Sequence, residues 1–151
     1  METTTRILDQ HQVGAVVLAC IDFRFREGLA GAIREAFHID AWDEVKLAGG
    51  AKNISMPRKE GRAETAFDDL ALAISAHHAH TVILLNHQNC GKYAAEGHIF
   101  SDIISEQAFH TLELKKAGDI TRKRFPAAIV LLGYASADPN DRIVIHPIKL
   151  D

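Results

Sequence analysis

Short aliphatic runs alternate along this chain with longer stretches in which apolar residues recur every three or four positions. Val13 to Cys20 is a continuous apolar and β-branched run, the pattern of a strand buried on both faces. Leu29, Ile33, Ala36 and Phe37 then return at helical spacing. Glu44 to Ala48 predicts a second short strand, closed by Gly49 and Gly50, where the backbone can take positive φ or come close to a ligand. After a basic loop containing Pro57, Phe67, Leu70, Ala71, Ile74 and His78 mark one face of a helix, and Thr81 to Asn86 predicts a third strand. Ser101 is the expected cap of the next helix. In it Ile104, Ala108 and Leu112 repeat at four-residue steps until Lys115-Lys116-Ala117-Gly118 supplies a cationic last turn and a glycine stop. Ala127 to Leu132 predicts a fourth strand, Asp138-Pro139-Asn140-Asp141 a turn, and Arg142 to His146 a short fifth strand at an edge.

Strands alternating with helices predict an α/β fold, a parallel sheet with helices on both faces. Ligands of such sheets gather beyond the carboxyl ends of the strands, so functional residues are expected just after them. At 151 residues, with no internal repeat and no linker, residues 1–151 form one domain. A hydrophobic content of 47% with 25% charged residues excludes disordered, collagen-like and coiled-coil chains. The net charge of −3, without a long run of either sign, argues against nucleic acid or an anionic membrane as partner. Val17-Leu18-Ala19-Cys20 resembles a bacterial lipoprotein cleavage box, but Glu2 and Asp9 offset Arg6 and the apolar run before it is short for a signal core. No stretch approaches the roughly 20 apolar residues of a membrane span. A cytoplasmic protein with two reduced thiols is the expectation.

The chemistry lies after the first and third strands. Cys20, Asp22 and Arg24 share a face if the segment stays extended, and His87-Gln88-Asn89-Cys90-Gly91 places a His-x-x-Cys at a strand-to-helix turn. Two thiolates and an imidazole make the Cys₂His set that holds zinc with the fourth position open, whereas structural zinc sites close with four protein ligands. Either cysteine alone would read as a small buried hydrophobe; the pairing with His87 favours metal. A redox pair is the alternative, but it leaves His87, Asp22 and Arg24 without a role. Arg24 is expected to hold Asp22 ionised, with its carboxylate free either to accept a hydrogen bond beside the metal or to become a fourth ligand. His77, His78 and His80 straddle a helix end and a strand start at the end of the sheet opposite Cys90 and read as ordinary histidines, and His98 is a candidate proton shuttle.

Cys20-x-Asp22-x-Arg24, Lys46-Leu47-Ala48-Gly49-Gly50 and His87-x-x-Cys90-Gly91 resemble, in order and spacing, the signature of the β-class carbonic anhydrases over about residues 14 to 94. The resemblance implies one zinc ion per chain on Cys20, His87 and Cys90, and an Asp22–Arg24 dyad beside it. It also implies four parallel strands in the order 2-1-3-4 with an antiparallel edge strand, and a homodimer or higher even oligomer. Pairing would also add core to a chain whose sheet is expected to carry aliphatic runs at both edges. Gly49 and Gly50 are expected beside the substrate. Phe23 stands where the family usually has serine, Gly50 where it has asparagine and Asn86 where it has glycine, and only about a dozen residues precede the first strand, so the chain resembles a minimal or divergent member. The expected activity is zinc-dependent interconversion of carbon dioxide and bicarbonate. Alternatives are hydrolysis of carbonyl sulfide or carbon disulfide on the same fold, or a non-catalytic zinc-binding regulatory protein.

Overall fold

The computed structural model describes residues 6–151; Glu2, one of the acids set against Arg6, lies outside them. Five strands form one sheet in the order β2-β1-β3-β4-β5. β1 (Ala15–Ala19) pairs in parallel with β2 (Trp42–Lys46) and with β3 (Thr81–His87), β3 pairs in parallel with β4 (Ile129–Ala137), and β5 (Ile143–Ile148) closes the sheet antiparallel to β4. The 2-1-3-4 order with an antiparallel edge is the one the resemblance implied.

Every residue of β1 and β3 is buried, because each face of the sheet is covered. Side chains alternate between the faces. Ala15, Val17 and Ala19 join Ile83 and Leu85 against Leu29 and Ile33 of α1 (Arg26–Phe37). Val16 and Leu18 join Val82 and Leu84 against Phe67 and Leu70 of α3 (Arg62–Ala76) and Leu114 and Ala117 of α5 (Ile103–Arg124). This explains the unbroken aliphatic runs, since a strand with two covered faces has no polar alternation. From β1 the chain goes to β2 on one side and to β3 on the other, which opens a crevice at the carboxyl ends of β1 and β3. Short helices α2 (Lys52–Ser55) and α4 (Gly91–Ala95) follow β2 and β3 at that end.

The third long helix departs from expectation. Asp102, not Ser101, caps α5, accepting from the Ser105 N–H at 2.7 Å. Ile104, Ala108 and Leu112 face outward, and the inward row is Glu106, His110, Leu114, Ala117 and Thr121. Gly118 is no stop. It lies buried within the helix, where a Cβ would come within 3.1 Å of the Leu132 and Leu150 side chains, so its bareness lets α5 settle on the sheet. Nor are both edges aliphatic: β2 presents Asp43, Glu44 and Lys46 at its edge, the charged blunting that keeps edges from pairing. Among the described residues no helix is long and apolar enough to cross a membrane.

Candidate metal centre

β1 ends at Ala19 and hands Cys20 to the crevice; β3 ends at His87, and a tight turn brings Cys90 back beside it. Asn89 makes that turn in the left-handed conformation at φ 59°. The two sulfurs, 70 residues apart in the chain, lie 3.9 Å from each other. Together with a ring nitrogen of His87 they form a cluster whose donor atoms all lie within 4.8 Å. The His87 Nδ1–H donates to the Gln88 carbonyl at 2.7 Å, which leaves the lone pair on Nε2. That Nε2 is buried and has no hydrogen-bond partner, and the ring is packed against Phe25 at 4.5 Å. A buried imidazole nitrogen held in fixed orientation without a partner is costly unless a ligand meets it.

The donor set fits zinc. Two sulfurs each about 2.3 Å from a tetrahedral zinc stand about 3.8 Å apart, close to the observed spacing. The electrostatics are prepared for a cation. Hydrogen bonding between the two thiols holds the Cys20 thiol well below its ordinary value, with further help from His87 and from the Gly49 N–H at 3.3 Å, against the opposing effect of burial. The same sharing, together with burial and the charge on Cys20, holds the Cys90 proton in place. A metal ion held here by Cys20, His87 and Cys90 would take the place of that shared proton, with both sulfurs as thiolates.

Asp22 and Arg24 do not continue the strand. Residues Phe23–Phe25 form a 3-10 turn capped by Asp22, so the shared face anticipated from an extended segment is replaced by a local loop-back. Arg24 Nε and one terminal nitrogen grip both oxygens of Asp22 at 3.0 and 2.6 Å. The other side of the guanidinium is held by Asn89, through its side-chain oxygen at 3.1 Å and its carbonyl at 2.9 Å. The hydrogen bonds from Arg24 keep Asp22 down at about 2, and the carboxylate raises Arg24 in turn. One Asp22 oxygen lies 3.7 Å from His87 Nε2, close to the cluster without bonding to it.

Gly49 and Gly50 are buried beside Cys20. Gly49 gives its N–H to Cys20, and Gly50 sits at φ +53° with the Leu85 carbonyl so near that a Cβ would fall 2.4 Å from it. An asparagine at that position would meet the same carbonyl. His77 pairs with Asp43 at 2.7 Å at the amino ends of the strands, away from the crevice, and His78 and His80 are exposed there too. His98 packs on Tyr93 and Phe109 and lines a cavity of about 340 Å³ with Asn89, Cys90, Phe100 and Glu106. Sequence reasoning left out Asn89, Glu106 and the Phe25 ring. Asn89 carries a weak signal, as a turn residue suited to positive φ; Glu106 carries none.

Residues 10–136 match the family model described as "Putative carbonic anhydrase". An uncharacterised protein of Rickettsia bellii is 25% identical over 119 residues, which covers 77% of this chain and 72% of its own length. One from Rickettsia conorii is 23% identical over 118 residues, covering 77% of this chain but 63% of its own length, just under two thirds. Among solved structures, β-carbonic anhydrase isoform I of Trichomonas vaginalis superposes with a TM-score of 0.56 at 12% identity, covering 95% of this chain and 87% of that one. A carbon disulfide hydrolase in its apo form gives 0.53 at 13% identity, covering 90% and 80%. A tetrameric β-carbonic anhydrase of Sordaria macrospora gives 0.52 at 11% identity, covering 89% and 81%. At such identities the structural likeness speaks for the fold alone. With the family model spanning most of its length, the chain belongs to that carbonic anhydrase family and carries the β-carbonic anhydrase fold.

Proposed function

We propose that the chain binds one zinc ion through Cys20, His87 and Cys90 and catalyses the reversible hydration of carbon dioxide to bicarbonate. The observation that carries this reading is the buried, partnerless Nε2 of His87 set against two sulfurs at tetrahedral spacing, with an ionised carboxylate held beside them. Zinc held by such a set acts as a Lewis acid that brings the pKa of water toward neutrality. The remaining work falls to the chain. Asp22, kept ionised by Arg24, accepts a hydrogen bond from the attacking water and so orients its lone pair toward the substrate. Arg24 occupies both carboxylate oxygens and thereby restrains Asp22 from swinging into the cluster. Gly49 steadies the charge on Cys20, and Gly50 lets the backbone pass close to Cys20 and the Leu85 carbonyl; both are proposed to lie on the substrate side of the metal.

The likeness to a carbon disulfide hydrolase supports a second reading, attack on carbonyl sulfide or carbon disulfide by the same groups. A zinc-binding regulator without turnover is the third. Assembly is part of the proposal: Ile21, Phe23, Ile99, Ile103 and Ile104 are exposed, and Phe23 and Ile99 both adjoin residues of the site, which supports a homodimer or larger even oligomer joined near its mouth rather than at the charged β2 edge. Two reduced thiols as ligands favour the cytoplasm.

Metal analysis and stopped-flow hydration on zinc-loaded protein test the proposal. The expected result is about one zinc per chain, as an open Cys₂His site requires, with turnover of carbon dioxide. Absence of zinc after expression with ample supply overturns the metal reading. Zinc without turnover of carbon dioxide, carbonyl sulfide or carbon disulfide hands the protein to the regulatory reading.

A further inference from the structure

Arg24 is an exposed residue on a short turn, and an exposed ion pair ordinarily holds its partners loosely. Here one face of the guanidinium is fixed by Asn89, and Asn89 is itself fixed from behind. The buried carboxylate of Glu106, on the inward row of α5, accepts the Asn89 backbone N–H at 2.7 Å. That bond pins the peptide entering Asn89. The left-handed turn at Asn89 then aims its carbonyl and side-chain oxygen at the two terminal nitrogens of Arg24.

Glu106 is in turn backed by His110, one turn further along α5 and fully buried. The Asn86 amide donates to His110 Nδ1 at 3.2 Å and to the Tyr93 hydroxyl at 2.9 Å, so His110 carries its proton on Nε2, which points toward a Glu106 oxygen 3.9 Å away. Hydrogen bonds join Asn86 to Tyr93 and His110. His110 Nε2 itself has no hydrogen-bond partner, and the bonds that reach the dyad start at Glu106.

We infer that Glu106 is a positioning residue for the Asp22–Arg24 dyad: through Asn89 it fixes the Arg24 guanidinium, and through that the Asp22 carboxylate beside the metal-ligand cluster. Its kinetic consequence rests on the hydration reading; its geometric consequence does not, and the two are measured separately. The geometric readout is the Arg24 Nε–H in metal-free protein, followed by ¹⁵N NMR and identified by its disappearance in Arg24→Lys. In the wild type this proton exchanges slowly with solvent. In Glu106→Ala its exchange rises at least about tenfold and its resonance moves toward that of a free arginine. Glu106→Gln keeps an oxygen that accepts the same bond and restores the protected signal.

With zinc bound, Glu106→Ala retains the metal and lowers kcat for carbon dioxide by about 10- to 100-fold, the scale of a misplaced orienting group, and Glu106→Gln recovers most of it. Glu106→Asp keeps a carboxylate in the first turns of α5 but falls short of Asn89, so it behaves like Glu106→Ala and serves should the alanine variant not fold. Unchanged Arg24 exchange in the alanine or aspartate variant overturns the inference, as does a freed Arg24 in Glu106→Gln. A wild type that protects Arg24 through Glu106 but turns over no carbon dioxide overturns the function proposed above and leaves the positioning role standing.

Discussion

His110 is a fully buried ionisable group behind the Cys20–His87–Cys90 cluster, and its burial has a measurable consequence. Burial, reinforced by the neighbouring His87 and His98, holds it down to about 4 from an ordinary 6.5. Between those values the unfolded chain binds a proton at this residue that the folded chain refuses. Unfolding therefore takes up protons in this window, and stability rises with pH through it, complete above about 6.5 and lost as pH falls toward 4. At about 1.4 kcal/mol per pH unit, the loss from pH 7 to pH 5 attributable to His110 comes to about 2 kcal/mol. His110→Gln abolishes the titration while leaving an oxygen to accept from Asn86; its packing penalty is the same at both pH values and cancels. Urea denaturation of metal-free wild type and variant at pH 7 and pH 5 gives the four numbers required. The wild type is expected to lose about 2 kcal/mol more than His110→Gln on going to pH 5. Equal losses would refute the reasoning, and would mean that Glu106, 3.9 Å away, accepts the new charge and offsets the burial.

Gly50→Ala places a methyl 2.4 Å from the Leu85 carbonyl in a left-handed conformation, and is expected to destabilise by about 2 kcal/mol or more in a thermal melt; a melt matching the wild type contradicts the close approach. Arg24→Lys loses the two-point grip on Asp22 and is expected to keep zinc by metal analysis while hydration falls about 100-fold; equal activity makes the dyad an ordinary surface ion pair. Cys20→Ser, Cys90→Ser and His87→Ala are each expected to strip the metal, since three protein ligands leave no redundancy, and full zinc content in any of them removes that residue from the set. Phe23→Glu places a charge in the exposed apolar mouth and is expected to shift sedimentation from an even oligomer to a monomer at micromolar concentration; an unchanged assembly locates the interface elsewhere.

The strand pattern was legible because β1 and β3 are covered on both faces, which forces continuous aliphatic runs that few other elements produce. β4 was cut short at Leu132 because Gly133 breaks its run, yet that glycine is where the Ile145 and Leu85 side chains crowd in, within 2.8 Å of where a Cβ would be. α5 was misread for a related reason. Its outward row is aliphatic and its inward row begins with Glu106 and His110, because its first turns back a polar site instead of an apolar core. Hydrophobic periodicity assigns the greasy row inward and has no means of recognising a helix whose buried duty is hydrogen bonding. Cys20, His87 and Cys90 stood out because residue type and spacing alone specify metal-ligand chemistry. Glu106 reaches the site through the backbone N–H of Asn89, and Asn89 holds Arg24 partly through its carbonyl; main-chain groups are common to every residue and leave no mark in the sequence.

The wide separation of Cys20 from Cys90 in the chain also bears on when a metal can arrive. In a zinc finger the ligands are close in sequence and the ion can draw an otherwise unfolded peptide together. Here the sulfurs meet only once β1 and β3 lie side by side, and the aliphatic layers that bring those strands together contain no metal ligand. On the zinc reading, loading would therefore follow folding, and protein prepared without zinc would be folded and take up the ion without refolding.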